Sequence, residues 1–229
     1  GNDVHNIFNY LCQSYSVSNE LYDAYTSNDL RKSQWYWKKG LFVGPVRTQV
    51  NETYFSYDVT SGDYYTKAYS EKRKQEEVSG QFLMRSAEAY LNYAEAEAYL
   101  GKEEIARNAL NTLRKNRFSA SVNSAVNSSG YELISAIRAE RRRELALEGH
   151  RWFDLRRYLV CSVQPESHAI THDWTNYASH ISTTLIERHR FVLEANDDAY
   201  TLPIPQEVLN FNTGMPNNVR PWRNYTVVQ

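Results

Sequence analysis

The sequence predicts a mainly α-helical protein with long loops and minor β structure. Between residues 79 and 158, apolar residues recur at steps of three and four, the spacing that keeps them on one face of a helix. Residues 33–78 instead combine aromatic and β-branched residues with glycine, which favours short strands and extended loops. Residues 159–229 show little periodicity, which predicts a loop-rich C-terminal segment. The 229 residues are enough for one sizeable core.

The composition argues against two classes of protein. Hydrophobic residues make up 41% and charged residues 23%, as in ordinary soluble proteins, and no run approaches the roughly eighteen apolar residues of a membrane span. The formal net charge is −1, whereas a nucleic-acid surface needs a basic excess. Cys12 and Cys161 lie far apart in the chain, and they either form a bridge or pack as separate thiols.

The first part of the chain predicts short helices followed by an extended region. In residues 1–32, Ser18 is a suitable N-cap for a short helix that carries Leu21 and Tyr25 at helical spacing. In residues 33–78, runs of aromatic and β-branched residues predict short strands, whose pairing the sequence does not assign.

Residues 79–118 predict a helical hairpin. A first helix spans residues 81–100 and stops at Gly101, and a second spans residues 103–117. The second helix has glutamates in its first turn and basic residues in its last turn, the order that complements the helix dipole. Because the joint has only one or two residues, the two helices must be adjacent and antiparallel.

A third helix follows a polar loop. Ser129 and Glu132 match a capping box, in which the two side chains satisfy each other's end amides. The helix is predicted over residues 132–148 with Gly149 as its stop, and a short helical run follows at residues 152–158. Residues 161–180 are polar and irregular, and residues 185–193 predict a strand or a short helix.

The third helix carries a stripe that begins apolar and becomes acidic. Leu133 and Ile137 continue on the same face as Glu140, Glu144 and roughly Glu148, and carboxylates four residues apart repel each other on a bare helix. Interleaved arginines can neutralise them, so we predict a partly buried ion-pair network that locks the following segment onto the helix. The predicted members of this network are Glu140, Arg141, Glu144, Glu148, Arg151 and Asp154.

A chemical role for these carboxylates is the alternative. A di-metal helix bundle needs a glutamate and a histidine three residues apart, but His150 follows Glu148 by two and lies beyond the predicted helix. A general acid–base pair needs a second carboxylate, and no other segment offers an obvious one. His168 and His172 have the helical spacing of metal ligands, but the surrounding sequence has no helical pattern and solvated loop histidines are the favoured interpretation. We therefore predict no catalytic residue, no cofactor and no metal.

Residues 140–157 resemble the signature of the SusD/RagB family, with the sequence ERRRELALEGHRWFDLRR. Two further blocks agree and come in the family's order. Residues 83–117 resemble its tetratricopeptide-like helix pair, and residues 200–218, YTLPIPQEVLNFNTGMPNN, resemble its closing segment. Residues 28–31, Asn-Asp-Leu-Arg, also resemble a family step of Asp-x-Arg that precedes the extended region. Residues 129–158 thus contain the signature helix region.

The resemblance implies a SusD-like fold in which residues 1–229 form the C-terminal region of a longer protein. It implies a tetratricopeptide-like helical hairpin with further helices and long loops. Family members are lipoproteins on the outer-membrane surface of Bacteroidetes, with a signal and a lipid anchor that are expected outside this chain. They capture glycans or related nutrients without catalysis, and they cap a SusC-like TonB-dependent transporter. The membrane is therefore expected to be reached only through that anchor.

The signature transfers no ligand residue, so ligand candidates rest on chemistry. A glycan site needs exposed aromatic faces for sugar rings, with polar groups nearby for the hydroxyls. Aromatic residues make up 14% of the chain. Strand alternation would put both indole rings of the first candidate cluster on one face. The candidates are Trp35, Tyr36 and Trp37, then Tyr64 and Tyr65, then Trp174 and Tyr177, and packing beneath loops is the alternative for each.

Three functions are compatible with these features. The leading hypothesis is non-catalytic capture of a glycan or nutrient for import. The second is a tetratricopeptide-like scaffold that binds a protein partner without binding sugar. The third is a glycoside hydrolase, although no paired-carboxylate, phosphate-loop or nucleophile-elbow motif is present. Glycan binding separates the first from the second, and release of reducing ends would support the third.

Overall fold

The computed structural model describes residues 18–40, 51–55, 85–146, 148–178, 184–218, 220 and 222–228. Within these residues the fold is mostly helical, which confirms the predicted class: seven α-helices accompany two small antiparallel sheets. No helix in the described residues is both long enough and apolar enough to pass through a membrane. The chain divides into two compact units, Gly1–Ala146 and Leu147–Gln229. Cys12, Tyr64 and Tyr65 lie outside the described residues.

The first unit contains five helices and a pair of strands among its described residues. The strands pair antiparallel, with Trp37 opposite Tyr54. Ser18 caps the first helix as predicted, because its side chain accepts a hydrogen bond from the backbone N of Leu21. The elements are α1 (Asn19–Asp23), α2 (Leu30–Gln34), β1 (Tyr36–Gly40), β2 (Asn51–Phe55), α3 (Ser86–Tyr99), α4 (Glu103–Arg114) and α5 (Gly130–Glu144).

The core of the first unit lies between α3, α4 and α5. Gly101 joins α3 to α4 with a φ of 75°, a left-handed conformation that glycine adopts without strain. The two helices form the predicted hairpin, and because the buried face of α3 is mostly alanine, they can approach closely. The buried residues of this core are Ala87, Leu91, Ala94, Ala98, Ala106, Ala109, Leu110, Leu113, Leu133, Ile134, Ile137 and Leu145.

The second hairpin helix ends at Arg114, three residues before the predicted end. Beyond it, the carbonyl oxygen of Arg117 accepts a hydrogen bond from the backbone N of Leu30 at 2.9 Å. Phe118 then forms an isolated β-bridge with Asp29. The chain therefore leaves the helix to pair with the start of α2, which brings that segment beside the hairpin.

The start of α5 differs from the predicted capping box. Ser129 has the extended backbone of an N-cap, but its side chain makes no capping hydrogen bond. Instead Glu103, in the first turn of α4, accepts a hydrogen bond from the backbone N of Gly130 at 2.8 Å. A carboxylate of the neighbouring helix thus replaces the predicted exchange between Ser129 and Glu132.

The end of α5 lies at Glu144, whereas the sequence predicted residue 148. Two carbonyl oxygens in its last turn accept hydrogen bonds from side chains of other segments. The phenol of Tyr25 donates to the carbonyl of Arg143 at 2.6 Å, and the guanidinium of Arg85 donates to the carbonyl of Glu144. These bonds satisfy groups that a longer helix would have bonded internally.

The second unit combines three further helices with a three-stranded antiparallel sheet. The strand order is β3-β4-β5, and a register shift interrupts the β3–β4 pairing between Asn176 and Tyr177. Residues 161–180 were predicted to be irregular, and this is wrong for β3. The elements are α6 (His150–Leu159), β3 (Ile170–Tyr177), β4 (Leu185–Leu193), a 3₁₀-helix (Asp198–Tyr200), α7 (Gln206–Phe211) and β5 (Thr226–Val227).

The helix α6 packs on the 3₁₀-helix of the second unit through aromatic side chains. Gly149, predicted as a helix stop, instead precedes α6 with a φ of 84°. The rings of Trp152 and Tyr200 lie 4.5 Å apart, and the guanidinium of Arg156 lies 5.2 Å from the Tyr200 ring. Tyr200 is buried, so this contact forms part of the core of the second unit.

Candidate functional site

Two carboxylates of α5 lie fully buried one helical turn apart. Glu140 and Glu144 have no measurable solvent exposure, although like charges at this spacing destabilise a helix. Arginines from four other segments surround them. We call this group the buried ion cluster: Asp29, Arg31, Arg85, Arg114, Arg117, Glu140, Arg143 and Glu144.

Arg31 lies at the centre of the buried ion cluster, with 1% of its surface exposed. Its Nη2 lies 2.7 Å from Asp29 Oδ2 and 2.6 Å from Glu140 Oε1. Its Nη1 donates to Glu144 Oε2 at 2.7 Å, and its Nε donates to Asp29 Oδ1 at 2.9 Å. One guanidinium therefore joins the start of α2 to both carboxylates of α5, a task that suits its planar set of five donors.

The other arginines complete the coordination of Glu144. Arg117 binds its carboxylate through two parallel hydrogen bonds, Nε to Oε2 at 2.8 Å and Nη2 to Oε1 at 2.6 Å. Arg85 Nη1 donates to Oε1 at 3.1 Å. Arg31 adds a third cation, so this buried carboxylate is held by arginines from three separate segments.

Glu140 is held in the same way by three cations. Arg143, one turn further along α5, donates from Nη2 to Glu140 Oε2 at 2.7 Å, and Arg114 of α4 pairs with the same oxygen. The cluster as described contains five arginines and three carboxylates. The excess of positive charge explains how two adjacent glutamates remain ionised without contact with water.

The electrostatics of the buried ion cluster oppose a role in proton transfer. Burial alone would raise the pKa of Glu140, but the charges of Arg31, Arg143 and Arg114 outweigh burial and lower that pKa to about 2. In Glu144, burial is likewise outweighed by the hydrogen bond from Arg117 and by nearby charges, so its pKa is lowered. A general acid or base works best with a pKa near the working pH, so this arrangement favours a structural role.

The lowered pKa of Glu140 makes acid stability a test of the cluster. A carboxylate whose pKa falls on folding stabilises the protein above its unfolded pKa, 4.5, and that stabilisation is lost as pH falls towards about 2. We expect the free energy of unfolding to drop by on the order of 3 kcal/mol across this window through Glu140 alone. Urea titrations of wild type and Glu140→Gln at a series of pH values measure the effect.

The matched control for the acid titration is Glu104→Gln, because Glu104 is an exposed carboxylate on α4. We expect the control to follow the wild-type pH dependence and Glu140→Gln to show a shallower slope below pH ~5. Equal slopes for wild type and Glu140→Gln would contradict the electrostatic account of the cluster.

The cluster differs in membership from the network that the sequence predicted. Arg141 donates to Asn92 Oδ1 at 2.6 Å. Glu148, Arg151 and Asp154 belong to the second unit, where Asp154 accepts a hydrogen bond from Arg157 Nε at 2.9 Å. Their place in a common network remains a prediction.

Five members of the cluster were missed because their residues lie far from α5 in the chain. The one signal for them was the Asp-x-Arg step at residues 28–31, which the family resemblance singled out without a role. The missed members are Asp29, Arg31, Arg85, Arg114 and Arg117.

The first predicted ligand cluster does not form one strand face. Trp35 ends α2 with a helical backbone, so the alternation that would align it with Trp37 is wrong. Its side chain is half-buried against Tyr25, and the guanidinium of Arg31 lies 6.0 Å from its ring. These contacts favour the packing alternative for Trp35. Tyr36 and Trp37 lie in β1, and their side chains lie outside the described part of the structure.

Trp174 lies in β3 with 47% of its surface exposed. It stands directly opposite His189 of β4, so the two side chains share one face of the sheet. Tyr177 was paired with Trp174 in the sequence-based prediction. It follows the register shift, and its side chain lies outside the described part.

Two aromatic rings that the sequence did not single out lie beside Trp174. The His189 ring lies 5.2 Å from the Trp174 ring, and the Tyr225 ring stacks on His189 at 3.8 Å with an angle of 9° between the planes. We call Trp174, His189 and Tyr225 the aromatic row. Tyr225 precedes β5 and is 51% exposed, so the row runs from β3 across β4 to the segment before β5 and is exposed at both ends.

The histidines predicted as alternative metal ligands do not share a helix. His168 lies before β3 and His172 lies within it, so the helical spacing on which this alternative rested does not occur. Asp173, next to His172, instead accepts two hydrogen bonds from Arg190, at 2.7 and 2.8 Å. In the ranges that the structure describes, no three His, Cys, Asp or Glu side chains are grouped so as to hold a metal.

The fold defines the class of protein. A SusD homolog from Bacteroides thetaiotaomicron VPI-5482 is similar to this chain with a TM-score of 0.50 and 26% identity, over 88% of this chain and 37% of its own. The model of the SusD family matches residues 5–222, and the chain belongs to that family.

Two further solved structures are similar in fold. A SusD-like carbohydrate binding protein from Bacteroides vulgatus ATCC 8482 is 24% identical with a TM-score of 0.48, over 82% of this chain and 36% of its own. A SusD-like protein from Bacteroides fragilis NCTC 9343 is 20% identical with a TM-score of 0.48, over 83% of this chain and 38% of its own. The chain thus spans less than two fifths of the length of these structures. A comparison with curated proteins finds no match.

Proposed function

We propose that this chain is part of a binding protein that captures a glycan or a related nutrient at the cell surface without catalysis. Membership of the SusD family supports the proposal, because the family resemblance implies nutrient capture. The observation that carries it here is the half-exposed indole of Trp174 on an open sheet face. An exposed aromatic ring beside hydrogen-bonding groups is the surface that sugar rings require.

The absence of catalysis in this proposal rests on the glutamates of the signature helix. Glu140 and Glu144 lie one helical turn apart, and arginines hold both ionised in the buried ion cluster. A glycoside hydrolase instead needs two carboxylates flanking an open cleft, one of them with a raised pKa. We therefore assign these carboxylates to stability and the open sheet face to binding.

The partner and location follow the family resemblance. We propose that the protein lies on the outer-membrane surface through a lipid anchor outside this chain, and that it passes its ligand to a SusC-like TonB-dependent transporter. A transporter gene beside the gene for this protein would support this partnership. Failure of the two purified proteins to associate would count against it.

The proposed function predicts binding without cleavage. We expect the full chain to bind at least one polysaccharide of a panel of starch, xylan, mannan, pectin and mucin glycans, measured by isothermal titration. We expect no release of reducing ends after prolonged incubation with the same panel. Heat-denatured chain is the control for adsorption. Failure to bind any of these polysaccharides would contradict glycan capture. Release of reducing ends would show instead that the protein is a hydrolase.

A protein-binding scaffold is the second candidate, and one surface favours it. Tyr90 and Tyr93 of α3 are 42% and 49% exposed, and Leu100 follows on the same side of the helix. Exposed tyrosines are typical of protein-binding surfaces. Loss of partner binding in Tyr93→Ala, in a chain that binds no polysaccharide of the panel, would favour the scaffold over glycan capture.

A further inference from the structure

The aromatic row adds a second exposed ring, Tyr225, to the exposed indole of Trp174 on which the proposed function rests, and we call these two rings the platform. We infer that the aromatic row binds neutral saccharide chains of two or more rings, and that the C-terminal segment supplies one end of the platform. This inference rests on the proposed function, and it names the ligand class and the residues of its site.

The two ends of the row are exposed, and its centre is covered. Trp174 and Tyr225 are each about half exposed, whereas His189 between them is 9% exposed. His189 stacks flat on Tyr225, so it fixes the plane of that ring and is itself shielded from a ligand. We therefore assign His189 as a positioning residue. The exposed rings lie on either side of His189, 5.2 Å and 3.8 Å from its ring, so a ligand that contacts both needs more than one sugar ring.

One arginine anchors the C-terminal segment just before β5 pairs with β4. Arg223 donates to the carbonyl of Val192 at 2.7 Å and to Asp197 Oδ1 at 2.6 Å. The same oxygen of Asp197 accepts a hydrogen bond from the backbone N of Ala199, which orients the carboxylate. Tyr225 lies two residues after this anchor, so the ion pair of Arg223 and Asp197 fixes one end of the platform.

Charge on the sheet face selects the ligand class. Asn176 lies opposite Glu187, and both share the face of the aromatic row; Glu187 Oε2 lies 3.1 Å from His189 Nε2, which leaves its second oxygen and the Asn176 amide to bind sugar hydroxyls. Strand alternation places Arg188 and Arg190 on the opposite face. On this face of β3 and β4, as far as the structure describes it, an acidic sugar would be repelled by Glu187 with no strand arginine to bind its carboxylate. A neutral sugar would not be repelled.

The inference predicts losses of affinity at both ends of the row. The probes are four neutral hexasaccharides, of maltose, cellobiose, xylose and mannose type, and two acidic oligosaccharides, a hexagalacturonate and a sialylated lactose. Against the neutral probe that wild type binds most tightly, we expect Trp174→Ala and Tyr225→Ala each to weaken affinity by about tenfold or more. The matched control is Trp222→Ala, because Trp222 is an exposed ring of the same segment outside the row.

Two further variants separate positioning from simple loss of structure. We expect His189→Ala to weaken binding and His189→Phe to retain it, because phenylalanine preserves the stacked ring beneath Tyr225. We expect Asp197→Asn to weaken binding in the wild-type chain. In a chain that already carries Tyr225→Ala, we expect Asp197→Asn to cause little further loss of affinity. Melting temperatures of all variants are measured alongside, and we expect the Trp174 and Tyr225 variants to melt close to wild type.

The outcomes distinguish this inference from the proposed function. If wild type binds a probe and both Trp174→Ala and Tyr225→Ala bind it as tightly, the platform is wrong and glycan capture stands. If wild type binds the acidic probes more tightly than the neutral ones and the Trp174→Ala variant no longer binds them, the neutral ligand class is wrong. If wild type binds no probe and no polysaccharide of the larger panel, both fail.

Discussion

Replacing Glu144 by alanine is expected to lower the free energy of unfolding by about 3–5 kcal/mol, the usual cost of removing one partner from a buried ion pair. The carboxylate accepts two hydrogen bonds from Arg117 and one each from Arg31 and Arg85. Its loss leaves five arginines of the buried ion cluster with two carboxylates. Because Arg31 is buried, water cannot replace the hydrogen bond that its guanidinium loses.

Urea denaturation followed by circular dichroism measures the effect of Glu144→Ala. Glu144→Gln is the companion variant, because the amide keeps the shape and one acceptor oxygen while it loses the charge, and we expect an intermediate loss. Glu132→Ala is the matched control, since Glu132 is an exposed glutamate of the same helix and should change stability by less than about 1 kcal/mol. A Glu144→Ala variant that unfolds at the wild-type urea concentration would contradict the stabilising role of the cluster.

Replacing Arg31 by alanine is expected to destabilise at least as strongly, by about 3–5 kcal/mol or more. Its guanidinium contacts three carboxylates. Its removal takes one neighbouring cation from each of Asp29, Glu140 and Glu144. Because Arg31 also joins the start of α2 to α5, the loss should extend to the pairing between Leu30 and Arg117.

Arg31→Lys tests whether geometry matters as well as charge. Lysine keeps the charge but presents a single ammonium, which cannot reproduce the set of bonds that Arg31 makes to Asp29 and Glu144. We expect lysine to recover only part of the stability lost with alanine. The matched control is Arg107→Ala, which removes a half-exposed pair with Glu103 and should cost about 1 kcal/mol or less. Full recovery with lysine would show that the site requires charge alone.

The helices of the first unit could be predicted because their signals are local. The periodic apolar residues of α3, α4 and α5 define which face is buried, and Gly101 marks the turn between two of them. Their ends could not be predicted as well, because distant groups determine them. After the end of α4, the backbone pairs with Leu30. At the start of α5, Glu103 accepts a hydrogen bond in place of the cap expected from Ser129.

The acidic stripe of α5 was visible in the sequence, but most of its partners were not. Arg31 lies 113 residues before Glu144, and no pattern within a helix reports on a contact over that separation. The sequence prediction assigned neutralisation to arginines of the same segment, and of these the structure shows Arg143 bound to Glu140. Local spacing therefore predicted that charges must be neutralised and could not predict which residues would do it.

The sheet of the second unit gave almost no local signal. Successive residues of β3 such as His172 and Asp173 are both polar, because both faces of the strand carry exposed residues. The alternation of apolar and polar residues that predicts a strand is therefore absent. Trp174 was singled out by chemistry alone, and its neighbours come from other segments: His189 from β4 and Tyr225 from the residue before β5. The aromatic row exists only once the strands are paired.

A double-mutant cycle between Arg31 and Glu144 tests most directly whether the buried ion cluster is a structural unit. The unfolding free energies of Arg31→Ala, Glu144→Ala and the double variant are compared with that of wild type. We expect the double variant to be much more stable than the sum of the two single losses predicts, by about 2 kcal/mol or more, because each single variant strands the other charge. Additive losses would contradict the account, since they would show that the two side chains stabilise the protein independently.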